Sequence, residues 1–191
     1  MKNLLIVLSG PSGVGKGTII KKLLAKGGYA LSVSCTTRAM RAGETEGKSY
    51  FFISKEQFEN MIKENGFLEY SNHFENYYGT PRKFVEEQLE SRDVILEIEV
   101  DGALKVKQAY PEALLIMVLP PDENELRNRL KKRGTESPEK IEERIKRTDY
   151  ELSKKSEYDY TVTNGELNGC VALIENILKK EKEAKKDKSV V

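Results

Sequence analysis

A short run of residues near the start of the chain has the composition and spacing of a phosphate-binding loop. The run follows the pattern GxxxxGK and consists of Gly10, Pro11, Ser12, Gly13, Val14, Gly15, Lys16, Gly17 and Thr18. Its glycines allow backbone N–H groups to turn toward phosphate oxygens, and the start of a following helix adds partial positive charge. Lys16 is long enough to reach the β- and γ-phosphates of a nucleoside triphosphate. The pattern therefore predicts a nucleotide-binding loop, against the alternative of a glycine-rich turn without a ligand.

The residue that follows Lys16 differs from the most familiar form of this loop. Gly17 stands where a Ser or Thr usually helps to hold Mg²⁺, and Thr18 comes one position later. We therefore expect a metal ion to be held mainly by phosphates, water and carboxylates elsewhere in the chain. The ending GKGT is more typical of nucleoside monophosphate kinases than of GTPases or motor ATPases.

A second group of residues could bind another phosphate. Arg38 and Arg41 lie three positions apart, and Tyr50 follows them. Arginine makes bidentate, charge-assisted hydrogen bonds to a phosphate dianion, and a tyrosine hydroxyl adds a further donor. The same residues could equally form a solvated basic loop, so this segment alone does not assign a function.

Two glutamates, Glu97 and Glu99, lie in a strand predicted to run from Val94 to Val100. Side chains alternate along a strand, so both carboxylates are expected on one face. They are also expected at the carboxyl end of the strand, which is the edge where doubly wound sheets bind their ligands. Carboxylates in an apolar strand need partners. The pair therefore indicates carboxylates that contact a ligand at this edge of the sheet.

The elements that carry these residues alternate between strands and helices. Apolar runs bounded by turn residues predict strands at 4–8, 31–34, 50–53, 67–70, 94–100, 113–119 and 160–162. Helical spacing and the N-cap candidates Ser54, Thr80 and Ser137 predict helices at 16–26, 122–132 and 138–155 and helices that begin near 54, 80 and 167. The charged stretch 179–191 is expected to fray into solvent. The alternation predicts an α/β fold with a mostly parallel sheet, helices on both faces, and an inserted α+β lobe in the middle of the chain.

Composition narrows the class of protein. A length of 191 residues favours one globular domain. The net charge of +1 gives no indication of nucleic-acid or membrane binding. Cys35 and Cys170 are isolated, so neither a disulfide framework nor a zinc site is expected. The apolar run from Leu4 to Leu8 is too short for a signal peptide or a membrane span. We therefore expect a cytoplasmic protein, either a monomer or a homo-oligomer.

Longer strings of sequence identify a family. From about Leu5 to Ile177 the chain strongly resembles bacterial-type guanylate kinase, in the strings SCTTRAMRAGETEGKSYFF, GFLEYSNHFENYYGTP, LEIEVDGA and KKRGTES. The pattern TTR-x-x-R-x-GE-x-x-G-x-x-Y is specific to that group, whereas the phosphate loop alone is not. The resemblance implies a P-loop NTPase-type fold with a core at 1–33, 81–125 and 150–191, a GMP-binding lobe at 34–80 and a helical lid at 126–149.

The same resemblance implies roles for particular residues in the transfer of the γ-phosphoryl group of ATP to GMP, with Mg²⁺ accompanying ATP. The residues implied to bind GMP are Ser34, Arg38, Arg41, Tyr50, Glu69, Tyr78, Thr80 and Glu99. The residues implied to bind ATP are the phosphate loop, from Gly10 to Thr18, and Asn164. The residues implied to act in the transfer itself are Lys16, Arg38, Arg133 and Arg144, the last two from the lid.

Several positions leave the family pattern or are open to more than one interpretation. Glu99 stands where the family often has Asp, and Asp101 stands where it has Gln, so the contact made by Glu99 could be guanine or hydrated Mg²⁺. Arg129 and Arg147 flank the lid but could equally be solvated helix charges. No protein side chain is expected to bind the metal directly, although Glu97 and Glu99 could do so through water.

The chemistry of Glu69 supports the implied choice of base independently. Guanine presents the N1–H and 2-amino donors side by side, and a carboxylate only accepts hydrogen bonds. Adenine has an acceptor at N1 and would leave the carboxylate unpaired. Glu69 with Ser34 and Thr80 therefore argues against a kinase for another small phosphate acceptor. The intact phosphate loop and lid arginines argue against the other alternative, a guanylate-kinase-like binding module without catalysis.

Overall fold

The computed structural model describes residues 3–73, 75–133 and 137–188. Its strands are β1 (Leu5–Ser9), β2 (Tyr29–Leu31), β3 (Cys35–Thr36), β4 (Phe51–Phe52), β5 (Phe67–His73), β6 (Asn76–Pro81), β7 (Asp93–Glu97), β8 (Leu114–Leu119) and β9 (Tyr160–Thr163). Its α-helices are α1 (Lys16–Ala25), α2 (Lys55–Lys63), α3 (Arg82–Leu89), α4 (Val100–Ala109), α5 (Glu123–Arg133), α6 (Pro138–Ser153) and α7 (Leu167–Lys188).

The main sheet has five parallel strands in the order β2-β7-β1-β8-β9. Its central strand β1 is buried along its whole length. Successive side chains in and just before β1 lie on opposite faces of the sheet. Leu4, Ile6 and Leu8 pack with side chains of α1 and α7, whereas Leu5 and Val7 pack with side chains of α3 and α4. Helices therefore cover both faces, and the predicted α/β class is confirmed.

A second sheet, in the order β4-β3-β6-β5, is built from the middle of the chain. Its core is small and aromatic: the ring of Phe58 from α2 lies 4.3 Å from that of Phe67 and 5.1 Å from that of Tyr77, both nearly parallel to it. The Ser54 capping box at the start of α2 is present as predicted. The α+β character of this segment follows the sequence, while the division of the chain at 34, 80, 126 and 149 stays a prediction.

The strand predicted at 94–100 is wrong in its second half. Strand β7 ends at Glu97, and Glu99 is the N-cap of α4, a helix that the sequence analysis did not predict. The carbonyl of Glu99 already accepts the first helical hydrogen bond, from Ala103 N at 2.9 Å. Glu97 and Glu99 therefore do not share the face of one strand, because the alternation of Glu in this segment crosses a strand-to-helix turn.

Two further local predictions are corrected. Thr80 does not cap a helix: it lies in β6, its hydroxyl donates to Glu69, and Pro81 is the N-cap of α3. The charged tail does not fray along its described length, because α7 continues to Lys188. It is held by tertiary contacts, including an ion pair of 2.6 Å between Lys182 Nζ and Asp93 Oδ2.

The predicted N-cap at Ser137 is confirmed, with its hydroxyl accepting from Lys140 N at 3.4 Å. The strand predicted at 31–34 is displaced, since β2 ends at Leu31 and β3 begins at Cys35. Among the residues that the structure describes, no helix combines the length and apolar character needed to cross a membrane.

Candidate functional site

The loop between β1 and α1 adopts a conformation that its glycines make possible. Gly10 has a φ of 135°, and a Cβ there would lie 2.2 Å from the carbonyl oxygen of Val118 on the neighbouring strand. Gly15, the N-cap of α1, has a φ of 96°. Any larger residue at these two positions would be strained or would clash with backbone. The first turn of α1 is consequently free to direct its N–H groups toward an anion.

The ammonium group of Lys16 lies over this loop. Its Nζ donates to the carbonyl oxygens of Gly10 at 2.6 Å and Pro11 at 3.1 Å. These contacts keep a positive charge at the centre of the loop, where phosphate oxygens would replace carbonyl oxygens as acceptors. Lys16 therefore lies at the loop, and its contact with a triphosphate stays a prediction.

Two side chains from elsewhere in the chain hold the outer part of the loop. The amide of Asn164, just after β9, is buried and donates to Val14 O at 2.7 Å. Arg129 of α5 donates to Asn164 O at 3.0 Å and to Val14 O at 3.4 Å. A Cβ on Gly15 would lie only 2.6 Å from the Asn164 amide nitrogen. Asn164 and Arg129 thus support the loop, a role that the sequence left open for Arg129.

A cleft of about 580 Å³ opens beside the loop. It is lined by Ser12, Gly13, Gly15, Lys16, Gly17, Thr18, Lys21, Glu97, Arg129, Asn164, Gly165 and Leu167. This cleft brings together most of the residues predicted to bind ATP. It also includes Glu97 from the end of β7, which is the carboxylate nearest to the departure at Gly17.

The surroundings of Gly17 fit a hydrated magnesium ion. A Cβ at Gly17 would lie 3.7 and 3.8 Å from the two carboxylate oxygens of Glu97, so glycine leaves a gap between the loop and that carboxylate. The Thr18 hydroxyl lines the same cleft. Within residues 3–73, 75–133 and 137–188, no group of three or more His, Cys, Asp or Glu could enclose a metal. One carboxylate and one hydroxyl suit Mg²⁺, because this ion usually keeps several waters and binds phosphate oxygens.

On the second sheet, Arg38 is held by a carboxylate that the sequence analysis did not single out. Its Nη1 and Nη2 donate to the two carboxylate oxygens of Glu44 at 3.0 and 2.7 Å. The guanidinium also lies over the rings of Tyr50 and Phe52, at 5.6 and 5.8 Å from their centroids. The hydrogen bond with Glu44 is the main reason that the pKa of Arg38 is raised, with a smaller contribution from Tyr78.

Glu44 also organises the second arginine. Its Oε2 accepts from the backbone N–H of Arg41 at 2.8 Å, which fixes the turn that carries that side chain. The hydrogen bond from Arg38, followed by the one from Arg41, lowers the pKa of the Glu44 carboxyl. The signal in the sequence was an acidic residue three positions after Arg41 and six after Arg38, within reach of both.

The two predicted tyrosines stand together beside Arg38. The rings of Tyr50 and Tyr78 meet edge to face with centroids 5.9 Å apart. Burial raises the pKa of the Tyr50 hydroxyl, so that it remains a neutral donor near pH 7. The structure therefore gathers Arg38, Tyr50 and Tyr78 in one place, with the backbone of Arg41 adjoining through Glu44.

Glu69 is a nearly buried carboxylate on β5. Its side chain accepts from the Thr80 hydroxyl at 2.7 Å, and burial raises the pKa of its carboxyl. A Cβ at Gly102 of α4 would lie 3.1 Å from Glu69 Oε2, so glycine there lets the helix approach closely. Ser34 lies in the neighbouring turn between β2 and β3, where its carbonyl accepts from Phe51 N at 2.9 Å. Glu69 and Thr80 are thus in direct contact, and the base contacts expected of them stay a prediction.

Helix α6 contacts the phosphate loop and the start of α4. Nη1 of Arg144 donates to the Ser12 hydroxyl in the phosphate loop at 2.6 Å. Nη2 of Arg147 donates to Glu99 at 2.6 Å, beside the second sheet. Arg133 is the last residue of α5, and its side chain lies outside the described part of the structure, as do residues 134–136 of the predicted lid.

Comparisons with known proteins agree with this arrangement. The sequence model described as guanylate kinase matches residues 2–181. A guanylate kinase from Clostridium tetani is 51% identical over 182 residues, covering 95% of this chain and 88% of that protein. One from Caldanaerobacter subterraneus is 52% identical over 183 residues, covering 95% and 89%. The crystal structure of a guanylate kinase from Anaplasma phagocytophilum is similar with a TM-score of 0.74 and 34% identity, covering 94% of this chain and 86% of that one.

Proposed function

Since the chain belongs to the guanylate kinase family, we propose that it transfers the γ-phosphoryl group of ATP to GMP, giving ADP and GDP, and that the two sites described above bind these two substrates. The observation that carries this assignment is the buried Glu69 carboxylate beside Thr80, next to a cluster of arginine and tyrosine side chains. A phosphate loop alone would fit many nucleotide-binding proteins. A buried acceptor beside a second cationic site fits a nucleoside monophosphate whose base carries donors.

The phosphate loop is the proposed ATP site. Its backbone N–H groups and Lys16 hold the β- and γ-phosphates, and Arg144 adds a positive charge from the lid through its position at Ser12. Arg133 is proposed to join it from the end of α5. These charges offset the negative charge that shifts during in-line transfer, and little covalent chemistry falls to the protein.

The Arg38 cluster is the proposed site of the GMP phosphate. Arg38 and Arg41 neutralise the acceptor dianion, which would otherwise be repelled by the phosphates of ATP, and Tyr50 and Tyr78 donate their hydroxyl protons. Glu44 uses two of the five N–H donors of Arg38 and thereby fixes the direction of the others. No general base is required, because a phosphate monoester with a second pKa of about 6 is already a nucleophile near neutral pH.

Glu69 is the proposed reader of guanine, with Thr80 and Ser34 at guanine O6. The ionised carboxylate accepts from N1–H and from the 2-amino group. Adenine would instead place an acceptor against it. A site built to hydrogen-bond donor groups in this way rejects an analogue that lacks them by roughly 10⁴–10⁵. Glu99 is proposed to lie at the rim of the same site.

Glu97 and Thr18 are proposed to bind the water molecules of the Mg²⁺ ion that accompanies ATP, which would neutralise phosphate charge when bound. The gap left by Gly17 supports this assignment. Asn164 and Arg129 are proposed to support the loop from the wall of the cleft rather than to contact the transferred group.

The test is ADP release measured by a coupled assay, with GMP, AMP, CMP and UMP as acceptors. We expect rapid ADP release with GMP and little with the other three. Preference for another monophosphate would contradict the base assignment while keeping the kinase. Absence of ADP release with all four, in a protein that binds GMP by calorimetry, would contradict catalysis and favour a binding module.

A further inference from the structure

Two side chains of α6 contact the first turn of α4, at the rim of the proposed GMP site. Nη2 of Arg147 lies 2.6 Å from Glu99 Oε2, and the Tyr150 hydroxyl lies 2.7 Å from Asp101 Oδ1. The spacing of three residues places Arg147 and Tyr150 on one face of their helix. Their partners lie two residues apart, at the N-cap and in the first turn of α4. The two contacts therefore join the C-terminal half of α6 to the N-terminal end of α4 at two points.

We propose that Arg147 is a positioning residue for GMP, which acts by holding the Glu99 carboxylate in place at the rim of the acceptor site. This inference rests on the proposed function, since it assumes that Glu99 lies beside bound GMP. It assigns a task to an arginine whose sequence context was equally typical of a solvated helix charge.

The guanidinium of Arg147 is itself held on its other side. Its Nε lies 3.5 Å from Oε1 of Glu151, one helical turn further along α6. The side chain of Glu151 is only 9% exposed, so it provides a fixed anchor. Arginine suits this bridging position because its planar fork can face two carboxylates at once. Glu99 is therefore paired with a guanidinium that Glu151 itself holds in place.

Glu99 needs such support more than Glu69 does. Its side chain is 53% exposed and belongs to the N-cap of a helix, whereas Glu69 is nearly buried and bonded to Thr80. Burial, together with a smaller effect of the Glu99 charge, raises the pKa of Glu69, so the two carboxylates are close enough to sense each other. An exposed glutamate has several rotamers, and holding it in one lowers the entropy lost when a ligand binds.

The effect is expected on GMP rather than on ATP. Arg144 is the residue of α6 that contacts the phosphate loop, through Ser12, and its contact is independent of Glu99. Replacing Arg147 by Gln leaves that contact in place and removes the guanidinium, with its charge and its donors, that faces Glu99 and Glu151. A change confined to one substrate thus separates positioning from a general loosening of the helix.

The experiment titrates GMP and, separately, ADP into wild type and Arg147→Gln by calorimetry, with steady-state kinetics alongside. We expect the Kd for GMP to rise about two- to five-fold, as for an exposed ion pair, with the Kd for ADP, kcat and the melting temperature little changed. Arg127→Gln is the matched control, because Arg127 pairs with Glu123 of α5 and Glu142 of α6 and not with Glu99. Its Kd for GMP should equal that of wild type.

A second comparison tests whether Arg147 acts through Glu99. Glu99→Asp keeps the carboxylate but shortens its reach by one methylene, so it should no longer contact Arg147. In that background Arg147→Gln should have no further effect on GMP binding. An unchanged Kd in the single Arg147 variant, an equal loss in the Asp background, or a parallel loss of ADP binding would each overturn the inference. Failure of wild type to phosphorylate GMP would instead contradict the proposed function. The kinase assay of wild type detects that outcome, whereas calorimetry of the variants tests the role of Arg147.

Discussion

The phosphate loop and the second sheet differ in the chemical groups that they present to their proposed ligands. The loop is made largely of backbone, and it rests on a central strand that is fully buried between two clusters of side chains. The second sheet instead uses side chains, such as the bidentate pair of Arg38 and Glu44, over a small aromatic core. A backbone site is fixed by the fold, whereas a side-chain site depends on partners that can be removed one at a time. The consequences of substitution should differ accordingly.

The largest effect is expected in the loop, from Lys16→Met. Its charge contributes about 1.5–3 kcal/mol in the ground state and more in the transition state, where loss of one such donor lowers kcat by roughly 10²–10³. Folding should be nearly unaffected, because Lys16 lines an open cleft and its removal leaves no core cavity. Activity and thermal melting of the variant are the measurements. Turnover near that of wild type would contradict the assignment of this loop to ATP.

In the second sheet, the largest effect is expected from Glu69→Gln. The amide offers one acceptor and places a donor group against the second guanine donor. A lost charge-assisted bond costs about 1.5–3 kcal/mol, and an unpaired buried donor about 1–3 kcal/mol. The value of kcat/KM for GMP should therefore fall between about ten-fold and a thousand-fold.

Steady-state kinetics with GMP and AMP measure this effect. The KM for ATP serves as the internal control and should change little, and the ratio of GMP to AMP use should narrow. Unaltered kinetics with GMP would show that Glu69 does not read the base.

A smaller effect is expected from Glu44→Gln, which tests whether GMP binding at the second sheet depends on the carboxylate that pairs with Arg38. The variant keeps one acceptor for Arg38 but loses the charge and the bidentate geometry. We expect the KM for GMP to rise about three- to ten-fold, the scale of one weakened charge-assisted hydrogen bond, with the KM for ATP unchanged. A fall in KM would mean that Glu44 competes with the phosphate for Arg38 rather than directing it.

The smallest effect concerns stability and compares these same two carboxylates. Burial raises the pKa of Glu69 in the folded protein, so the folded state binds its proton more tightly than the unfolded chain. The resulting stability is present below the unfolded pKa and is lost as pH rises through the higher folded pKa. Glu69→Gln should therefore melt about 1–3 °C higher than wild type at pH 7, and the difference should shrink toward pH 4.

Glu44 has the opposite sign. Its folded-state pKa is lowered by the hydrogen bonds from Arg38 and Arg41, so its contribution to stability is present above the unfolded pKa and is lost as pH falls through the folded value. Glu44→Gln should melt below wild type at pH 7, with the gap closing in acid. Melting curves of the two variants over this range should diverge from wild type in opposite directions.

The same contrast explains what the sequence could predict. The glycine spacing around Gly10 and Gly15 encodes the loop directly, because backbone conformation is a local property. The capping box at Ser54 is equally local. Thr80 was assigned to a helix cap on local grounds, but its hydroxyl finds Glu69 on the adjacent strand, a partner that no local pattern indicates.

Contacts between distant parts of the chain account for the remaining differences between the sequence-based prediction and the structure. The alternation of Glu97 and Glu99 fits a strand as well as a strand followed by a helix cap. The helix that begins there brings Gly102 close to Glu69, a packing contact that the local sequence does not reveal. Arg147 and Glu99 are 48 residues apart in sequence, and their charges are unremarkable until the fold brings them together. The family resemblance named many of the site residues, but it did not indicate these partners.

The carboxylate of Asp93 joins three separate parts of the chain at the amino end of the main sheet. It is fully buried, it accepts from the backbone N–H of Leu4 at 3.0 Å, and its other oxygen is paired with Lys182 near the end of α7. During synthesis on the ribosome, Leu4 and Asp93 emerge long before Lys182. Burying the carboxylate without that ammonium would cost several kcal/mol. This edge of the sheet therefore reaches its final packing only after α7 has emerged, so its completion depends on a helix synthesised well after Leu4 and Asp93.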